Sequence, residues 1–336
     1  MLIKLFTVFI LLINSSLIYS QSSQNFYVID KFITVNNDTI YNCKIGYRTF
    51  GNLNYESSNA IIYCSWFRGT SEAIGNLIEK RNFVDTSEYF IIAFDALGNG
   101  VSSSPSNHES GNFPEITIRD MVNAQYIVLT EHLKLDHLYG AIGGSMGSMQ
   151  VLEWSVAYPE YITKIAAYVC TPKLTSYDLF WMHTQLQMIE TLQKLNADEF
   201  EIKRLLDMTA SWISRSPDHL NQNVLPEEIH KYLLTFEPDT TIYFSTGNYA
   251  AQLKAMISHD ISKKFSGSME EAAKYIMAEL LLIVSEGDLT INPIEAIKLA
   301  EMTGSKLIVL ENNCGHLAVS CEFERIKEKI YKFFRN

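Results

Sequence analysis

The stretch Leu138-Tyr139-Gly140-Ala141-Ile142-Gly143-Gly144-Ser145-Met146-Gly147 sets two hydrophobic patterns back to back. Leu138 to Ile142 is a short apolar run of the kind a buried strand requires. Beyond it, Met149, Leu152, Glu153, Trp154, Val156 and Ala157 continue at helical spacing until Pro159 stops them. Between the two lies Gly143 to Gly147, a G-x-S-x-G pentapeptide. A sharp strand-to-helix turn there holds a serine in a strained backbone geometry and presents its hydroxyl at the edge of a sheet. Glycines suit the flanking positions because a side chain would collide with the neighbouring strand or helix. Elsewhere such a pentapeptide is an ordinary Gly-Ser turn. With a strand before and a helix after, Ser145 becomes the candidate nucleophile.

A serine hydroxyl is a poor nucleophile at neutral pH and needs a general base, itself oriented by a carboxylate. Leu280 to Val284 is a continuous apolar run, read as a buried strand, and it leads through Ser285-Glu286-Gly287 to Asp288. Lys306 to Leu310 is another strand, followed by Glu311-Asn312-Asn313-Cys314-Gly315-His316. Asp288 and His316 therefore both fall just past strand ends, in the chain order Ser, Asp, His. Glu286 is the rival carboxylate but lies closer to the strand body, so Asp288 is preferred. An oxyanion needs two backbone N–H donors. Met146, directly after the serine, is one candidate, and Phe67, in the loop Ser65–Thr70 after the strand Asn59–Cys64, is the other. Arg68 in that loop reads equally as a surface charge or as an anion contact at a pocket mouth.

Strands are expected near residues 27–35, 40–49, 60–65, 89–95, 138–142, 165–171, 280–285 and 306–311, with helices between them. Early strands alternate as exposed antiparallel ones do; later strands are continuous apolar runs, as a buried parallel sheet requires. The interval 172–277 is too long for one crossover. Its runs Tyr177–Leu195, Ala197–Ile213 and Pro226–Thr235 have helical spacing and read as a helical cap inserted after strand 6. Phe180, Trp181, Met182, Leu186, Met188 and Ile189 could line an acyl pocket, although most of such a stripe is ordinarily core.

The chain has 336 residues, 47% of them hydrophobic, enough for one sizeable catalytic domain. A formal net charge of −11 argues against nucleic acid or anionic membrane surfaces as main partners. Residues 1–20 carry Lys4, an apolar stretch from Leu5 to Ile13 and the small Ser20, which reads as a secretory signal peptide ahead of a domain over 21–336. Export to the periplasm or the medium is expected, with no membrane span left after cleavage. Five cysteines are present, Cys43, Cys64, Cys170, Cys314 and Cys321; the last two bracket His316, where a disulfide could fix the base if geometry permits. No Cys/His spacing resembles a zinc site, and no metal is expected.

Several stretches together resemble the homoserine O-acetyltransferase family of the α/β-hydrolase superfamily. They are Tyr47–Asn54, Phe113–Val122, Gly143–Trp154, Tyr249–Met256 with His259-Asp260, and the Asp288 and Gly315-His316 loops. The resemblance spans roughly residues 40–330 and implies an α/β-hydrolase fold, with a mostly parallel eight-stranded sheet flanked by helices. It also implies an acyl-Ser145 intermediate. In the family the acyl group comes from acyl-CoA and passes to the hydroxyl of homoserine or a related amino acid. Three departures concern the acceptor. The family's His-Ala-Leu-Thr-Gly loop is here Ser65-Trp66-Phe67-Arg68-Gly69, so Trp66 and Arg68 would face the substrate. Leu317 replaces the acidic residue that usually follows the histidine, and Thr171–Asp178 replaces a stretch that carries an Arg for the acceptor carboxylate. An exported protein would rarely meet acyl-CoA, which turns the expectation toward water or an extracellular alcohol as acceptor. No bound cofactor is expected, and acyl-CoA would enter only as a co-substrate of a true transferase. The partner is then a small acyl ester or acyl donor, with a homodimer left open. A non-catalytic binding protein on the same fold is the remaining alternative.

Overall fold

The computed structural model describes residues 22–81, 83–109, 112–237 and 244–336. The expected signal peptide lies outside these residues. Among them, β1 (Asn25–Ile33), β2 (Thr39–Phe50), β3 (Ala60–Cys64), β4 (Phe90–Phe94), β5 (Leu138–Gly144), β6 (Ile162–Tyr168), β7 (Glu279–Ser285) and β8 (Lys306–Leu310) form one sheet. Its order is β1-β2-β4-β3-β5-β6-β7-β8. β1 and β2 pair antiparallel, β2 meets β4 antiparallel, and every pair from β4 to β8 is parallel.

Alternation along the central strands explains why helices cover both faces. Ala60, Ile62 and Cys64 of β3 and Leu280, Leu282 and Val284 of β7 enter one core. That core also takes in α2 (Ile118–Ile127) and α3 (Met146–Ala157) through Met121, Leu152 and Trp154. Ile61, Tyr63, Leu281 and Ile283 point to the opposite core, with Ile74 and Ile78 of α1 (Ser71–Arg81). The period of two in a strand sends neighbours to opposite faces, and a sheet buried on both faces makes its central strands predominantly apolar.

β6 ends earlier than expected from the apolar run over 165–171. Its ladder with β7 closes at Tyr168 opposite Ile283, and Val169 takes φ +41°. Val169, Cys170 and Thr171 stay buried, yet the backbone has already left the sheet. β1 likewise lies two residues N-terminal of 27–35, because a turn closed by Thr34 N–H donating to Asp38 O occupies the following residues.

Between β6 and β7 come α4 (Ser176–Lys194), α5 (Glu199–Ser214), α6 (Pro217–Asn223), α7 (Ile229–Leu233), α8 (Thr246–Ile257) and α9 (Met269–Tyr275). The expected run Pro226–Thr235 is a 3-10 turn at Pro226–Glu228 leading into α7. Thr175 starts α4 with a capping box, its side chain accepting from Asp178 N–H. The Asp178 carboxylate also accepts Asn292 N–H at 2.9 Å, which ties α4 to the segment after β7. α10 (Ile294–Thr303) leads to β8, and α11 (Ala318–Cys321) and α12 (Phe323–Arg335) close the chain. α12 packs Ile326, Ile330, Phe333 and Phe334 against the sheet.

One buried histidine makes stability depend on pH. His259, after α8, shares a 3.1 Å hydrogen bond with Thr171 O through Nε2, while Nδ1 is buried without a partner among the described residues. Burial pushes its pKa down to about 4. Above about pH 6.5, its unfolded value, the ring is neutral in both states; below that the unfolded chain takes up the proton first. Stability therefore falls as pH drops from about 6.5 toward 4, by on the order of 3 kcal/mol from this group at full effect. Urea titrations should show a shallower loss over that window in His259→Gln than in the wild type; equal slopes would contradict the assignment.

Candidate active site

Ser145 sits between the last residue of β5 and the first of α3 with φ +55° and ψ −124°. A non-glycine residue there is strained, and the surroundings hold it. Ser145 N–H donates to Tyr168 O at 3.1 Å on the neighbouring strand. The glycines make the turn fit: a Cβ on Gly147 would lie 2.4 Å from Cys64 O, and one on Gly143 2.3 Å from Gly147 O. α3 can thus cross β3 at backbone contact distance.

The C-terminal ends of the parallel strands share one rim, so the loops after β7 and β8 reach the same place. Ser145 Oγ lies 2.9 Å from His316 Nε2, and His316 Nδ1 lies 2.7 Å from Asp288 Oδ2. Asp288 is buried, and its Oδ1 accepts the backbone N–H groups of Thr290 and Ile291 at 2.8 and 2.9 Å. With the carboxylate so fixed, Nδ1 of a neutral imidazole carries the proton and Nε2 accepts from the serine. Glu286, the rival carboxylate, is exposed. The loop bearing His316 is itself braced. Cys314 and Cys321 form a disulfide around it. Asn312 Oδ1 accepts Cys314 N–H at 3.0 Å, and Ser216 Oγ donates to Asn313 O at 2.5 Å. Cys43, Cys64 and Cys170 are free and buried, and burial pushes each thiol pKa up to about 12 or beyond, which makes them unreactive.

A cavity of about 410 Å³ opens above Ser145 and His316. Trp66, Phe67 and Leu317 line it, and Tyr168, Trp181, Ile213, Tyr249, Met256 and Val319 line it as well. Of the α4 stripe, Trp181 faces this space, Met182 and Ile189 are core, and Phe180 is 75% exposed. Met146 begins α3, so its N–H has no carbonyl of its own helix to reach. Phe67 N–H donates to no backbone oxygen among the described residues. Arg68, which reads equally as a surface charge or as an anion contact at the pocket mouth, is paired within the protein. It is absent from the cavity lining, and its guanidinium turns away to Asp207 Oδ1 at 2.6 Å, over the Phe244 ring at 3.6 Å from the centroid. A bulky cation next to an apolar cavity gains more from a carboxylate and an aromatic face than from the cavity wall. Among the described residues, no group of three or more His, Cys, Asp or Glu side chains is placed to hold a metal ion.

A serine at a strand-to-helix turn, with histidine and aspartate delivered by later strand ends, defines a class of protein. The chain belongs to the α/β-hydrolase fold family, whose sequence profile matches residues 65–320. It is 27% identical to a homoserine O-acetyltransferase of Methanococcoides burtonii over 92% of this chain and 73% of that protein. It is also 27% identical to a probable esterase of Corynebacterium glutamicum, over 83% of this chain and 85% of that one. An ethyl acetate hydrolase of Pseudomonas veronii is 35% identical over 44% of each chain. Among solved structures, an acetylester hydrolase from Corynebacterium glutamicum superposes with a TM-score of 0.83 at 23% identity, covering 94% of this chain and 97% of that one. A homoserine O-acetyltransferase from Bacillus anthracis gives 0.80 at 20% identity, covering 94% and 98%. These relatives are enzymes of the fold, and this chain is one too.

The brace around His316 is open to a direct check. Chain entropy gives a disulfide across a separation of seven residues a stabilising effect of about 2 to 3 kcal/mol. Cys314→Ala/Cys321→Ala should lose that amount in urea denaturation, and an unchanged midpoint would show that the bond constrains nothing.

Proposed function

We propose that this protein is a Ser-His-Asp acyl-transfer enzyme that hydrolyses small esters with apolar groups. The observation that carries the reading is the unbroken hydrogen-bond chain from Asp288 through His316 to Ser145, beneath an apolar cavity. Ser145 Oγ attacks the ester carbonyl while His316 Nε2 takes its proton. The developing oxyanion would be held by the N–H groups of Met146 and Phe67. His316 then protonates the leaving alcohol, and acyl-Ser145 remains. Water attacks the acyl carbon with His316 again as base, which releases the acid and restores the serine. Asp288 keeps the imidazole in the required tautomer and stabilises its charged form.

Water is favoured as acceptor by what lines the cavity. An amino-acid acceptor would need a carboxylate for its ammonium group, and no Asp or Glu is among the described lining residues. Leu317 beside His316 offers only apolar surface. The expected export from residues 1–20 agrees with this, as does the Cys314–Cys321 disulfide, since such bonds persist in oxidising compartments. Transfer from acyl-CoA to a hydroxy compound is the second reading, favoured by relatives named homoserine O-acetyltransferase.

Two measurements on the purified protein separate these readings. Ser145→Ala should lower kcat/KM for p-nitrophenyl acetate by about 10⁴-fold or more without unfolding the protein; equal turnover would remove Ser145 from the mechanism. Offered acetyl-CoA and homoserine, the wild type should release no CoA that depends on homoserine. Such release would make the protein a transferase.

A further inference from the structure

Resting on the acyl-Ser145 reading, we infer that Arg68 is a positioning residue that holds the Phe67 oxyanion donor by tethering its loop to the helices over the cavity. Trp66 to Gly69 form a tight turn closed by Gly69 N–H donating to Trp66 O at 2.8 Å, with Arg68 at φ +64°. A positive φ at this third position is the place of glycine in a type II turn. An arginine there is held against its own preference.

Contacts with α5, α8 and the residues before α8 hold it. Its guanidinium donates to Asp207 Oδ1 on α5 at 2.6 Å, with both side chains largely buried. The same group lies over the Phe244 ring, just before α8. Its backbone N–H donates to Gln252 Oε1 on α8 at 2.9 Å. The Phe67 ring adds an edge-on contact with Tyr249 of α8, centroids 4.7 Å apart. α5 and α8 are joined in turn through Gln185 of α4, which donates to Thr209 at 3.0 Å and accepts from Tyr249 OH at 2.5 Å.

Peptide planarity connects these tethers to the chemistry. Trp66 O and Phe67 N–H belong to one peptide plane and point in opposite directions from it. Pinning Trp66 O inside the turn therefore aims Phe67 N–H to the other side, where Phe67 lines the cavity above Ser145. The next peptide plane is pinned by Gln252. Loss of the Arg68 tethers leaves the turn to pivot and the donor to lose its aim. Such a donor matters in the transition state more than in the ground state, so the effect belongs on the chemical step.

Labelling by diethyl p-nitrophenyl phosphate tests this without a known substrate. Ser145 Oγ attacks phosphorus, p-nitrophenolate leaves, the serine proton passes to His316, and the phosphoryl oxygen occupies the oxyanion position. Arg68→Gly suits the backbone of the turn while deleting the guanidinium tethers, and Asp207→Asn weakens the same tie from the other end. Both variants should keep the wild-type melting temperature within a few degrees. Both should lower the maximal labelling rate by about tenfold or more while the reagent's half-saturation moves by less than about threefold. Wild-type labelling rates in both variants would overturn the inference and leave the Ser145 reading intact. So would a raised half-saturation with an unchanged maximal rate, which would make Arg68 a substrate contact. A wild-type protein that takes no label at Ser145 would overturn both.

Discussion

The backbone of Ser145, held at φ +55° between a buried strand and a buried helix, is the constraint from which the site is built. The turn is possible because α3 crosses β3 so closely that a Cβ on Gly147 would lie 2.4 Å from Cys64 O. That crossing also delivers the free N–H of Met146, since a helix leaves its first amides unsatisfied. Gln150 Nε2, one turn further along α3, donates to Ser65 O at 2.9 Å and so pins the start of the Phe67 loop to the same helix. Ser145 and both candidate donors therefore share one rigid unit, and preorganisation of that kind is what gives an oxyanion site its force.

His316 arrives from elsewhere and is fixed by different means. His316 lies in a loop whose order comes from a disulfide, an Asn312 side chain and the contact with Ser216 at the α5–α6 junction. Helices inserted between β6 and β7 thus do two jobs. They roof the cavity through Trp181 and Ile213, and they brace both the His316 loop and the Phe67 loop. Solved structures of an acetylester hydrolase and of a homoserine O-acetyltransferase share this fold, so the fold alone does not set the acceptor.

How far the sequence could be read follows the range of the interactions involved. Ser145, Asp288 and His316 could be placed together because each follows an apolar strand, and parallel strands of one sheet present their carboxyl ends on one side. The end of β6 could not, because Val169 and Cys170 are as buried as a strand demands while the backbone has already turned. The α4 stripe showed a helix but not its rotation, so Trp181 in the cavity and Phe180 in solvent looked alike. Arg68 stays open between a surface charge and a contact at the pocket mouth, because its partner, Asp207, lies 139 residues further along the chain. A charge seen alone in sequence points nowhere; its partner is chosen by tertiary structure.

The central claim is that imidazole and carboxylate turn this one hydroxyl into the atom that carries the acyl group. Acid-quenching the protein during turnover of excess p-nitrophenyl acetate, followed by peptide mass mapping, addresses it most directly. The mechanism predicts an acetyl group on the peptide that contains Ser145, at that residue. An acetyl group found on another side chain, with Ser145 bare while product accumulates, would contradict it.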